Sequence, residues 1–223
     1  MTNKTILLLF AALVLSFPVS NAKGQSIAAE LPKFEIGPHF TSITKPGFSG
    51  GETEPGFGGR FTYNINETFA LEGVGNFFPR ACRGCGRLGD NSGNILQALG
   101  GVKIGKRFEK WGIFGKGRAG VVSFSQGHGE WVVTNPGSTF PFDFRLNRTN
   151  NFAGDIGGII EFYPSRRLVT RFEAGDTMIH YKERQTNFIV FDPITSAPSL
   201  VPFRISSETR HNFQFVAGIG WRF

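Results

Sequence analysis

The last fifteen residues, TRHNFQFVAGIGWRF (Thr209 to Phe223), alternate in chemistry from end to end. Phe213, Phe215, Ala217, Ile219, Trp221 and Phe223 make one row, and Asn212, Gln214, Val216, Gly218, Gly220 and Arg222 make the other. A period of two puts successive side chains on opposite faces of a β-strand, so this stretch predicts a strand with one apolar and one polar face. The chain then stops on an aromatic residue.

Seven further stretches carry the same rhythm: Lys33–Ser42, Phe57–Ile65, Phe69–Phe78, Ile95–Gly105, Gly112–Phe124, Phe152–Tyr163 and Leu168–Ile179. In the second, Phe57, Phe61, Tyr63 and Ile65 oppose Arg60, Thr62 and Asn64; in the fourth, Leu96, Ala98, Val102 and Ile104 oppose Gln97 and Lys103. The links between stretches alternate in length. Short turns fall around Asn66, over Lys106 to Trp111 and over Pro164 to Arg167, whereas Ile43–Gly56, Pro79–Asn94, Ser125–Asn151 and His180–Glu208 are long. Long loops are unusual inside a compact soluble domain. Short turns on one side and long loops on the other are the pattern of outer-membrane barrels.

The composition agrees. The chain has 223 residues, with Gly 30 and Phe 25 against Met 2, at a formal charge of +7. Glycine costs ~1 kcal/mol in a helix interior, and aromatic residues favour strands. The positive residues are scattered, with no run of five or more, which argues against a nucleic-acid partner. Residues 1–22 read as a secretory signal: Lys4 begins it, Ile6–Phe17 is an apolar run too short to span a bilayer as a helix, and Ser20-Asn21-Ala22 supplies the small residues of a cleavage site. The expected organisation is a signal peptide over 1–22 and one β-barrel domain over 23–223.

Alternation leaves two barrels open. A soluble carrier places the apolar row inside; a membrane barrel places it outside. Three features favour the second. The polar row is short of Lys and rich in Gly, Asn, Thr and charges of both signs. Its charges can pair across strands: a turn centred on Asn66 sets Arg60 opposite Glu72, and one centred on Arg166 sets Glu161 opposite Arg171, filling a narrow interior where an unpaired charge is costly. Finally, Phe215, Ile219, Trp221 and Phe223 form a terminal motif. A terminal Phe on such a strand is similar to the signal read by the outer-membrane assembly machinery. Residues 23–223 resemble the small eight-stranded barrels of the OmpA and OmpX type. That resemblance implies an all-β, eight-stranded antiparallel up-and-down transmembrane barrel in a bacterial outer membrane, in contact with membrane lipids and lipopolysaccharide, and monomeric. Phe69, Tyr63, Trp111, Tyr163 and Trp221 lie where an aromatic girdle belongs.

Little in the chain points to chemistry. Cys82 and Cys85 sit in a long loop; a zinc site needs two more ligands nearby and none has suitable spacing, so a disulfide in an oxidising compartment is the leading reading, beside free thiols. His180 and His211, with Asp176, Ser206, Ser207 and Glu208 close in sequence, leave a Ser–His–acid arrangement conceivable at the outer rim, as in a lipid A acyl-modifying enzyme. Parity puts His211 on the apolar row, which counts against it. No cofactor or metal is expected. The loops carry Arg80, Arg83, Arg87, Arg145, Arg148, Lys182 and Arg184, and also Phe140, Phe142, Phe144, Phe188, Phe191 and Phe203, the marks of a surface that meets lipopolysaccharide or a ligand. The expectation is a non-enzymatic barrel that acts through its loops, with a narrow pore as the alternative.

Overall fold

The computed structural model describes residues 32–45, 52–79, 93–134, 138 and 140–223. Residues 1–22, read as a secretory signal, lie outside them, as do Cys82 and Cys85 and the loop residues Arg80, Arg83 and Arg87. Among the described residues ten strands form: β1 (Phe34–Lys45), β2 (Glu52–Asn64), β3 (Phe69–Phe78), β4 (Ile95–Arg107), β5 (Trp111–Val133), β6 (Phe142–Phe162), β7 (Leu168–Tyr181), β8 (Arg184–Phe191), β9 (Pro198–Ile205) and β10 (Glu208–Arg222). Eight of them close into an antiparallel barrel in the order β1-β10-β7-β6-β5-β4-β3-β2, and β8 pairs with β9 alone. Closure leaves no barrel edge unpaired.

The seam between β1 and β10 is held at its end by the terminal residue. Phe34 N–H donates to Phe223 O and Phe223 N–H to Phe34 O, both at 2.9 Å. Pro38 has no N–H to give the ladder, and next to it Gly37 lets β1 and β10 approach closely. A Cβ built at Gly37 would fall on Ile219 O and Gly220 Cα.

The turns are tied by side chains. Asn66 Oδ1 accepts the N–H groups of Thr68 and Phe69, and Ser165 Oγ accepts those of Arg167 and Leu168. The Asn66 turn departs from expectation. Asn64 pairs with Ala70, which centres the turn on Glu67 instead of Asn66. One step in the centre moves every partner by two residues. Glu72 therefore stands opposite Thr62, and Arg60 opposite Val74. The Ser165 turn is centred on Arg166, and Glu161 stands opposite Arg171.

Two long links are not loops. Most of Ser125–Asn151 extends β5 and β6 beyond the barrel as a hairpin, past a register shift between Phe124 and His128. Most of His180–Glu208 forms the β8–β9 hairpin. It docks on β5 through Arg184, which donates to Gly127 O at 3.0 Å, and Thr186, which donates to Gly129 O at 2.9 Å. The two hairpins make an outcrop on the loop side. At its tip Ser196 has φ 54°, a left-handed residue closing the turn that begins at Asp192.

The apolar row faces out all round the barrel. Ile219 is 58% exposed, and Phe57, Ile104, Ile113, Ile156 and Phe213 are likewise exposed. The polar row faces a filled lumen. A girdle of Phe34, Tyr63, Trp111, Phe162, Trp221 and Phe223 rings the turn side. Tyr163 is not part of it: its hydroxyl donates to Glu161 Oε2 at 3.0 Å and accepts from Arg107 Nε at 3.1 Å. The last residue of β6 is Phe162, and Tyr163, lying beyond it, turns over the lumen mouth, where Arg222 stacks on its ring at 4.4 Å.

Candidate functional site

The lumen is built in three layers. Nearest the turns is an ionic layer. Strand parity places Glu72 on β3, Arg118 on β5 and Arg171 on β7 on the inner face, and the narrow cylinder brings them together. Glu72 takes both forks: Arg171 Nη1 and Nη2 at 2.5 and 2.9 Å, and Arg118 Nη2 and Nε at 2.5 and 3.1 Å. Arg171 is wholly buried, and its Nη1 also reaches Glu161 at 3.3 Å while its Nε lies 2.7 Å from Glu173. Lys103 closes on Glu161 at 2.7 Å. Lys116 lies between Asp155 at 2.8 Å and Glu173 at 3.2 Å. Arg107 approaches Glu35 at 3.6 Å. Arg171 meets Glu72 with two parallel bonds, one to each oxygen, so that contact sets geometry as well as charge.

The middle layer is uncharged. His39 Nε2 lies 2.6 Å from Asn76 Oδ1, Asn76 Nδ2 donates to Gln97 Oε1 at 2.5 Å, and Gln214 Nε2 donates to Gln97 Oε1 and Thr41 Oγ1. Thr177 Oγ1 donates to Gln214 Oε1 at 2.6 Å. This chain links β1, β3, β4, β7 and β10. On the loop side the inward row turns apolar. Ile43, Phe78, Ile95, Leu99, Val122, Ala153 and Ile179 pack together, with Phe124 and Tyr181 against them. These side chains make an apolar plug on the loop side of the lumen.

Of the four residues read as interior pairs, Glu161 and Arg171 meet, and Glu72 is engaged by Arg171 and Arg118. Arg60 does not meet Glu72, because the turn is centred one residue later. Arg60 is 3% exposed, and among the described residues its Nε, Nη1 and Nη2 find no hydrogen-bond partner. In this layer Arg60, Lys103, Arg107, Lys116, Arg118, Arg171 and Arg222 outnumber Glu35, Glu72, Asp155, Glu161 and Glu173. Sequence reasoning missed Lys116, Arg118, Asp155 and Glu173 as partners, although all four stood on the polar row. Arg118 and Asp155 stand opposite each other on β5 and β6, 3.2 Å apart, but the long link between those strands fixes no register in the sequence; the pairs across the lumen leave no trace in neighbouring-strand register at all.

At the rim, His211 Nδ1 lies 2.5 Å from Asp176 Oδ2, both outside the barrel and 68% and 38% exposed. His180 Nδ1 pairs with Thr209 Oγ1 at 3.0 Å. The acid and the imidazole therefore meet; among the described residues, neither Ser206 nor Ser207 is bonded to them. Among the described residues, no three His, Cys, Asp or Glu side chains are grouped to hold a metal ion.

The outcrop exposes Phe140, Phe144, Phe188, Phe191, Phe203 and Ile194. Trp131 packs near Phe144 with ring centroids 5.2 Å apart, and Phe188 lies edge-on to Phe203 at 5.6 Å. Arg204 pairs with Glu183 at 2.7 Å in water. On the barrel's outer face, Ile36, Pro38, Phe61, Ile219 and Trp221 line an apolar groove of about 810 Å³, floored by Gly59, Gly73 and Gly75.

No protein-family description matches the sequence, and no curated protein does. Among solved structures, the chain is similar to the attachment invasion locus protein Ail of Yersinia pestis, at 14% identity and TM-score 0.42, covering 85% of this chain and 96% of that one. It is similar to Neisserial surface protein A at 11% identity and TM-score 0.46, covering 86% and 97%. It is also similar to the N-terminal β-barrel domain of Pseudomonas aeruginosa OprF, at 11% identity and TM-score 0.38, covering 85% and 97%.

Proposed function

We propose that the chain is a non-enzymatic outer-membrane barrel whose two-hairpin outcrop meets partners outside the cell. The inversion of its two faces carries this reading: isoleucine and phenylalanine coat the exterior while carboxylates and guanidiniums neutralise one another within. In hydrocarbon every backbone polar group needs an internal partner, and a closed barrel supplies it. A soluble carrier needs the opposite arrangement. The girdle of aromatic rings suits one interface, and exposed His211, His180 and Asp176 suit the other, where headgroups and lipopolysaccharide lie.

The filled lumen favours the surface role over a pore. Arg171, Phe78, Lys103 and Gln97 are fully buried inside it, and the apolar plug caps it. The outcrop's exposed aromatic rings favour contact with a partner. Fractionation tests the location: the protein is expected in outer membranes and to run faster on a gel before boiling than after. Equal migration would overturn the barrel reading. In planar bilayers the purified protein is expected to show no discrete conductance steps; steps would replace the surface role with a pore.

A further inference from the structure

We infer that the lumen holds a small inorganic anion, of halide size, against Arg60. Three observations converge on that spot. Arg60 is buried on the inner face of β2, with all three guanidinium nitrogens unpartnered among the described residues. The carboxylates near enough to act on it are Glu72, Glu161 and Glu173. Each is already held by Arg171, with Arg118, Lys103 or Lys116 as a second cation. The layer as a whole carries more cations than carboxylates.

A cation taken out of water without a counter-charge is strongly unfavourable, and a guanidinium cannot escape by losing its proton. A bound anion removes the imbalance. Its size follows from the walls. Arg60 stands between Gly37 on β1 and Val74 on β3. A Cβ on Gly220 would come within 3.0 Å of Arg60 Nη2 and 2.9 Å of Val169 Cγ1. So confined a niche suits a single atom better than a phosphate. The inference concerns the barrel's interior and is independent of what the outcrop meets.

Bromide is the probe. The full-length mature protein refolded and crystallised in sodium bromide is expected to show an anomalous peak within hydrogen-bonding distance of the Arg60 guanidinium. Above half-saturation, the unfolded-to-folded ratio of the wild type is expected to fall about tenfold per tenfold rise in bromide, at ionic strength held constant with gluconate. Arg60→Gln is expected to lack both the peak and the dependence. The wild type alone decides if that variant fails to fold. Water at the site, a guanidinium turned onto a carboxylate, or bromide on the surface alone would overturn the inference.

Discussion

β5 and β6 pass through two regions that treat their side chains differently. From Trp111 to Val122, β5 alternates between an exposed and a buried row. Beyond the register shift near Phe124, nearly every residue to Val132 is half-buried, and the facing part of β6 shows no sorting either. The backbone pairing is the same in both. What changes is the surroundings. Below the rim the two faces of the sheet meet different media, so each position is either inside or outside. Above it, water reaches both faces, and the β8–β9 hairpin covers part of one. Alternation of burial is thus a property of the environment on each side of a strand, not of strand formation.

That contrast yields an ordered set of outcomes. The largest belongs to the lumen. Glu72→Ala removes the carboxylate shared by Arg118 and Arg171 and leaves two buried cations short of a partner. A loss of about 3–5 kcal/mol is expected, read from urea unfolding in lipid vesicles. A loss under 1 kcal/mol would mean that water reaches the network. Next is the exterior. Ile219→Arg places a charge on the apolar face, at a cost of about 2–4 kcal/mol if it lies at mid-membrane, and should lower the yield of folded barrel. Ile194→Arg, at the hairpin tip, should leave that yield unchanged. Similar yields for both would erase the distinction between the regions.

Smaller effects come from the outcrop. Arg204 and Glu183 are 69% and 47% exposed, and a double-mutant cycle should return about 0–1 kcal/mol. The same cycle on Arg171 and Glu161 should return clearly more. The smallest effect is at Asp192. Its carboxylate accepts the N–H groups of Ile194 and Thr195, which holds it below the usual aspartate range. The turn's support is therefore present above the ordinary aspartate pKa and is lost as pH falls through the lowered one. NMR titration should show Ile194 and Thr195 amides unchanged at neutral pH and shifting only in acid. Movement near neutrality would contradict the bonded turn.

The eight barrel strands were legible because each declares itself within its own ten or so residues. Phe213 to Phe223 shows both rows without reference to any other strand. Arg184–Phe191 shows no such rows, so its pairing was not visible; Phe142, Phe144 and Leu146 do alternate with Asp143, Arg145 and Asn147, but that short run lies inside a link read as a loop. Ladder hydrogen bonds join backbones and need no particular side chains.

Local periodicity established eight two-faced strands, and the order of short and long links set the up-and-down topology; the apolar coat and charged lining needed the make-up of the polar row, its chances of ion pairing and the terminal motif as well. Partnership inside the lining was decided in three dimensions. One turn centred on Glu67 instead of Asn66 moved Arg60 away from Glu72, and curvature brought Arg118 and Arg171 from distant strands to that carboxylate. Charges meet through space across the cylinder, and a distance of that kind exists only once the walls have closed.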